Sequence, residues 1–237
     1  ATILTTDIGR MIDRLLLYST NDTIYTLTSE NNSDAIARYL MRFVFFQDDF
    51  HIQDVSSETV IFGVYGPQSR QKVVEAGFPG EDLPLHHWRQ VQLGDTTGYL
   101  HRTDPIHGDG SVVMGQTKER DVLWRRLLAT GLVPAAADDF DFLRIQAGLP
   151  RFGHEITGDY IPLEANLWED VSFNKGCYIG QEIIARMESR GKLAKKLVRF
   201  IADAPVEPGS SIQANGKNAG TVTSTAVGPD GAIGLGY

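Results

Sequence analysis

The pattern of apolar residues changes character once along this chain, near Lys196, and that change limits the fold more than any single residue does. Before it, strand-like runs are interspersed with stretches whose apolar residues recur at helical spacing. After it come only short alternating runs, punctuated by Pro205, Pro208-Gly209, Asn215-Gly216 and Gly228-Pro229. The first part therefore reads as a mixed α+β body and the second as a small β-rich unit. Within the body, residues 10–18 and 23–28 form a hairpin across the turn-forming Ser19-Thr-Asn-Asp22. Ser33 caps a helix whose apolar positions are Ile36, Tyr39, Leu40 and Phe43. Strands are expected over 53–55 and 59–65, and a short helix opens after Gly66-Pro67 and ends near Gly77. Prolines 79, 84 and 105 mark 77–110 as loops and edge strands. Helices follow over 120–130 and 138–147, the second ending at a C-cap glycine, Gly148. Gly228-Pro-Asp-Gly231 lies between strand patterns and lacks the lysine of a phosphate loop, so it reads as a hairpin turn.

Charge and cysteine content then exclude several function classes. Thirty acidic against 22 basic side chains leave a net charge of -8, which opposes non-specific binding to nucleic acid or anionic lipid. No apolar run reaches the roughly 20 residues of a membrane span; the most apolar stretch, 40–46, is interrupted by Arg42. A single cysteine forbids an intramolecular disulfide and fits a reducing compartment. The glycines are dispersed rather than periodic, so a solenoid is not supported. Strand patterns run to both ends of the sequence, and both ends are expected to be truncated.

The most informative segment is 174–186, NKGCYIGQEIIAR, where a glycine-rich turn delivers Cys177 to the entrance of a helix starting near Gly180. Unpaired N–H groups and the positive end of the helix dipole favour a thiolate there, and Lys175 adds a cation. The alternative is a small buried hydrophobe. Gly176 and Gly180 permit positive φ or a close approach of backbone to a ligand, or simply serve the helix entry. Gln181 and Glu182 stand in the first helical turn, where Glu182 is either a cap or a ligand contact, and Arg186 is spaced to pair with it.

Together with LRIQAGLPRFGHE at 143–155 and IPLE at 161–164, the octet KGCYIGQE resembles the YgfZ-type folate-binding proteins, relatives of the glycine-cleavage aminomethyltransferase. The resemblance is dense over 143–190. It implies an aminomethyltransferase-like α+β body over 1–192, its N-terminal part missing, with a central channel for tetrahydrofolate or a one-carbon derivative, and the start of a small C-terminal β-barrel over 193–237. It further implies an auxiliary role in assembly or repair of iron-sulfur enzymes, with such clients or assembly proteins as partners, in the cytoplasm or the mitochondrial matrix. The chain is expected to act as a monomer, without nucleic acid or membrane. Cys177 matches the signature cysteine as the reactive thiol, and Lys175, Gly176, Tyr178, Gly180, Gln181 and Glu182 match the rest. Gln146 stands where aminomethyltransferases place a glutamate that hydrogen-bonds the pterin, and a neutral amide still offers a donor and an acceptor. Arg144 and Arg186 are candidates for the folate carboxylates or, alternatively, internal ion-pair partners. The alternative function is a folate-dependent aminomethyl or one-carbon transferase, which needs an aspartate in the N-terminal half; Asp48, Asp49 and Asp54 offer no clear equivalent.

The adjacent His86 and His87, with His101 and His107, do not form a metal-binding pattern, and no zinc site is expected. Trp88, Trp124 and Trp168 read as core or channel-wall residues, with pterin stacking the alternative.

Overall fold

The computed structural model describes residues 1–93, 96–229 and 231–237, with the side chains of Leu93 and Thr96 also left aside. Gly94 and Asp95 of the expected loop region, and Asp230 of the expected 228–231 turn, lie outside the described residues. The chain divides into two compact units, 1–36 with 138–237, and 37–137.

In the first unit, strands β1 (Thr2–Thr5), β2 (Met11–Ser19) and β3 (Ile24–Leu27) form an antiparallel sheet in that order. The period of two in β2 buries Met11, Asp13 and Leu15 on one face while Ile12 and Arg14 are only partly covered. The expected hairpin is present: Ser19 pairs with Ile24, and Thr20 Oγ1 donates to the Thr23 carbonyl at 2.9 Å inside the loop. Helix α1 (Ser33–Met41) follows and carries the division between the units; it ends before Phe43, which is exposed rather than part of the helix's apolar stripe.

The second unit holds a four-stranded antiparallel sheet of β4 (Thr59–Gly66), β5 (Trp88–Leu93), β6 (Thr96–Ile106) and β7 (Asp109–Gln116), in the order β4-β7-β6-β5. Helices α2 (Ser69–Glu75) and α3 (Arg120–Ala129) contribute Val73, Leu123 and Leu127 to a core with Phe78, Leu100 and Val113. Two expectations are corrected. Residues 53–55 form no strand; they lead into a 3-10 turn, Ser56–Glu58, whose first amide is bonded by Asp54 Oδ1 at 2.8 Å. The region 77–110 holds an interior strand, β6, as well as the edge strand β5. Pro105 is accommodated because the β6–β7 register breaks between Arg102 and Ile106, so no ladder donor is required of it.

The chain returns to the first unit through α4 (Ala137–Gln146), which ends as expected at Gly148 in the left-handed region, and continues through a long irregular stretch to α5 (Gln181–Arg190). Strands β8 (Val198–Ala202), β9 (Ser211–Ala214), β10 (Lys217–Gly228) and β11 (Gly231–Gly236) form a second antiparallel sheet, ordered β8-β11-β10-β9. Asn215 and Gly216 both take positive φ, 53° and 74°, the geometry a two-residue hairpin turn requires, and join β9 to β10. Leu235 and Tyr237 share one core with Met11, Ile145, Ile156, Ala165 and Leu197, so these strands belong to the same compact unit as the hairpin and α4.

One buried carboxylate joins those parts. Glu155, fully buried, accepts from Arg144 Nη1 at 2.8 Å and the Arg151 amide at 3.0 Å through one oxygen, and from the Thr223 and Ser224 hydroxyls through the other. The Tyr237 hydroxyl donates to its backbone carbonyl at 2.9 Å. Helix α4, the 151–155 turn and strand β10 thus meet on one side chain. Removing it leaves a buried guanidinium without its main counter-charge, which costs about 3–5 kcal/mol. Glu155→Ala is therefore expected to lower stability by that amount in urea denaturation, whereas the paired Arg144→Met, Glu155→Met variant should recover most of it.

Candidate functional site

The helix entrance is built as the sequence anticipates. α5 begins after Gly180, whose φ of 84° is left-handed. A Cβ at this position would meet the Thr6 carbonyl oxygen at 2.7 Å, Thr5 Oγ1 at 2.8 Å and Gly9 Cα at 2.9 Å, so both conformation and space call for glycine. The contact is with the turn between β1 and β2, and Thr5 Oγ1 donates to the Ile179 carbonyl at 2.6 Å. Gln181 reaches back and accepts from the Tyr178 amide at 3.3 Å, so it holds the loop. Ile184, completely covered, packs with Ile161, Leu163 and Tyr178 and seats the helix.

Cys177 stands three residues before that cap, exposed and free, and is not the small buried hydrophobe of the alternative reading. Gly176 does not take positive φ, and a Cβ there would meet no protein atom within 4 Å. Lys175 places its ammonium over the Tyr178 ring, 5.1 Å from the centroid. The Tyr178 hydroxyl is covered without a hydrogen-bond partner among the described residues, and burial pushes that phenol up. Glu182 and Arg186 are both exposed and form no ion pair among the described residues; an exposed pair at this spacing gains only a few tenths of a kcal/mol, and water competes.

Of the two roles open to Arg144, the structure places it in the internal one. It is 3% exposed, and its guanidinium reaches Asp141 at 2.9 Å, Glu155 at 2.8 Å and Ser224 Oγ at 2.8 Å. Gln146, two residues on, is exposed on another face of α4; its carbonyl accepts from Arg199 at 2.7 Å, and its amide makes no hydrogen bond among the described residues.

A second assembly in the same unit went unread in the sequence. Ser29, Glu30, Asn31, Arg151, Phe152 and His154 line a cleft of about 240 Å3; the last three belong to the 143–155 motif, but none of the six was proposed as a site residue. Behind Ser29 lies Asp13, fully buried, whose carboxylate accepts from the Ser29 amide at 3.1 Å, the Ser29 hydroxyl, Asn32 Nδ2 at 2.9 Å and the Arg14 amide at 2.8 Å. The signal for it was present: a carboxylate in the buried phase of an alternating strand, Met11-x-Asp13-x-Leu15. Asp48, Asp49 and Asp54 are exposed, and Asp48 and Asp54 bond amides of their own loops. From the cleft, Arg151 Nη1 contacts Asp141 at 2.8 Å. Burial would raise the Asp141 carboxyl, but the Arg144 and Arg151 guanidiniums outweigh it and hold the group below the usual carboxylate range.

His86 and His87 precede β5 in a loop rather than in a strand, and His86 has positive φ. Among the described residues no three or more His, Cys, Asp or Glu side chains gather as a metal site. None of the three tryptophans is core: Trp88 is half-buried, and Trp124 and Trp168 are exposed.

Against known proteins, the GCVT N-terminal domain family matches residues 1–175, about three quarters of the chain. The chain belongs to that family. Among its relatives, a chloroplastic protein of Arabidopsis thaliana, named as a candidate transferase, is 31% identical across the whole chain and 55% of its own length. The aminomethyltransferase of Rubrobacter xylanophilus is 28% identical over 97% of the chain and 63% of its own length. The chain thus spans roughly half to two thirds of these relatives. The crystal structure of the glycine cleavage system aminomethyltransferase T from Bartonella henselae superposes with a TM-score of 0.80 over 99% of this chain and 66% of its own, at 24% identity, and establishes the GCVT-type fold. No helix of the described residues is long and apolar enough to cross a membrane.

Two outcomes are expected from this geometry. Gly180→Ala should lose at least about 1–2 kcal/mol from the left-handed backbone, with the clash against Thr6 in addition, while Gly176→Ala should stay within about 0.5 kcal/mol of wild type in thermal denaturation. Because the Asp141 carboxyl is lowered in the folded state, its contribution is complete above the ordinary carboxylate range and is lost as pH falls through the folded value. The destabilisation caused by Asp141→Asn should accordingly shrink on acidification, as read by urea midpoints at pH 7 and in the acid limb.

Proposed function

We propose that this chain is a YgfZ-type member of the family: a tetrahydrofolate-binding auxiliary factor for assembly or repair of iron-sulfur enzymes, with Cys177 as its working thiol. The observation that carries the reading is the exposure of Cys177 on a KGCYIGQE loop whose far end is locked to the β1–β2 turn through Gly180 and Thr5. An exposed thiol on a fixed loop suits transient ligation or thiol chemistry with a partner better than it suits packing. One cysteine cannot hold a cluster by itself, so the partner or client supplies the other ligands. The exposed, unengaged amide of Gln146 supports its place as the pterin contact, offering both donor and acceptor. Residues 193–237 are read as the first strands of a C-terminal β-barrel, and the protein as a monomer of a reducing compartment, cytoplasmic or mitochondrial.

Asp13 favours a second reading, folate-dependent aminomethyl transfer, because it is a buried carboxylate in the N-terminal half where that chemistry needs one. Its oxygens are engaged by four protein donors, the arrangement of a carboxylate that fixes the turn after β3.

The deciding experiment measures a four-iron radical enzyme, such as one that modifies tRNA, in cells whose only full-length copy carries Cys177→Ser, with tetrahydrofolate binding by the purified variant as control. Loss of enzyme activity with folate binding retained is expected. Unchanged activity would make the cysteine dispensable and shift the reading to transfer, which turnover of a folate-borne one-carbon unit with an amine, abolished by Asp13→Asn, would establish.

A further inference from the structure

The stretch from α5 into β8 concentrates positive charge in a chain that is otherwise acidic. Residues 186–199 carry six of the 22 basic side chains, Arg186, Arg190, Lys192, Lys195, Lys196 and Arg199, and one of the 30 acidic ones, Glu188. All six are exposed, and none forms an ion pair among the described residues. Three of them have work inside the fold. Arg190 stands in the last turn of α5, where a cation suits the helix dipole. Lys195 lies 4.7 Å from the centre of the Tyr160 ring, and Arg199 donates to the Gln146 carbonyl at 2.7 Å. None of those partners is a carboxylate, so the charge stays uncompensated in each case. The side chains of Arg186, Lys192 and Lys196 make no hydrogen bond or ring contact among the described residues. Arg186 and Arg190 also stand four apart on one helix, a like-charge spacing that works against it. Folding alone does not account for this concentration of charge.

A surface of this kind attracts anions, and its other features select among them. A nucleic-acid strand needs stacking platforms, and residues 181–199 contain no aromatic side chain. A duplex, with one charge about every 1.7 Å, also runs beyond a helix of about 15 Å onto the rest of a chain with net charge -8. A membrane-surface helix needs an apolar face to insert, but Ile184, Met187, Leu193 and Leu197 are packed into the cores of the unit. What remains is a compact array of carboxylates on a folded partner, which fits a patch one short helix and its exit loop can cover.

We infer that residues 186–199 form a docking surface for a partner protein with an acidic face. The inference goes beyond the folate and iron-sulfur reading and stands without it. α5 begins four residues after Cys177, so the docked face adjoins the loop that carries the thiol.

The test is whether binding follows the position of the charges rather than their sum. Fluorescence anisotropy at low and at physiological salt measures affinity for a labelled twelve-residue peptide of alternating glutamate and serine. The comparison probes are its glutamine counterpart, an oligouridylate of equal charge, and vesicles of phosphatidylcholine and phosphatidylserine in equal parts. Wild type is expected to bind the acidic peptide more tightly than any of these, and less tightly as salt rises. The combined Arg190→Glu, Lys192→Glu, Lys196→Glu variant should lose at least about tenfold, the size of a few exposed ion pairs. A variant with the same change of net charge at exposed positions elsewhere, Lys118→Glu, Arg125→Glu, Arg126→Glu, should stay within about twofold of wild type. The three glutamine substitutions at 190, 192 and 196 carry the same test at a smaller size if the reversed variant fails to fold. Absence of peptide binding, or equal loss in both reversed variants, would overturn the inference. Tighter binding of the oligouridylate or of the vesicles would overturn it too, in favour of nucleic acid or membrane.

Discussion

The first unit depends on one ion pair that water does not reach. Glu155 is the point at which α4, the turn after it and the C-terminal sheet are all hydrogen-bonded, and Arg144 is the counter-charge that makes its burial tolerable. A buried carboxylate with every lone pair engaged tolerates few alternative arrangements, since any shift strands a charge in low dielectric. That constraint fixes where β10 lies against α4. It also fixes Arg151, whose amide bonds Glu155 while its guanidinium faces the cleft. The stacking of Tyr160 on Tyr237, with Lys195 over the Tyr160 ring, closes the same corner from the far side.

Much of the scaffold was legible because local chemistry and global position agree in it. The β2–β3 hairpin, the Asn215-Gly216 turn, the Gly148 cap and the start of α5 at Gly180 each follow from residues whose backbone preferences leave few choices. The interior strand β6 was not legible. Its proline and its glycine read as loop, and only the broken register opposite β7 shows how a central strand can carry Pro105. The 53–55 segment, Gln53-Asp54-Val55, went the other way, because three residues have no strand partner unless the fold supplies one, and Asp54 bonds the Ser56 amide instead.

The site divides along similar lines. Cys177, Gly180 and Gln181 could be read from a contiguous segment, because helix-entrance geometry is local. Arg144 could not, since the partners that occupy it, Glu155 and Ser224, are 11 and 80 residues away. The cleft was hidden for the same reason: residues 29–31 and 151–154 meet only after the chain has left the first unit and come back. Asp13 carried a readable sign, its phase in β2, but one acid in an apolar alternation has to be noticed as the exception to the pattern it sits in.

The alternating charges Glu30, Arg151, Asp141, Arg144 and Glu155 form a graded series, from a side chain in open water to one with no exposure at all. Mobile ions screen exposed pairs within a Debye length of about 8 Å at physiological ionic strength but hardly touch buried ones. Added electrolyte therefore dissolves this series from one end. The outermost link loosens first, the guanidinium of Arg151 is released toward the cleft, and the innermost link holds until the fold itself gives way.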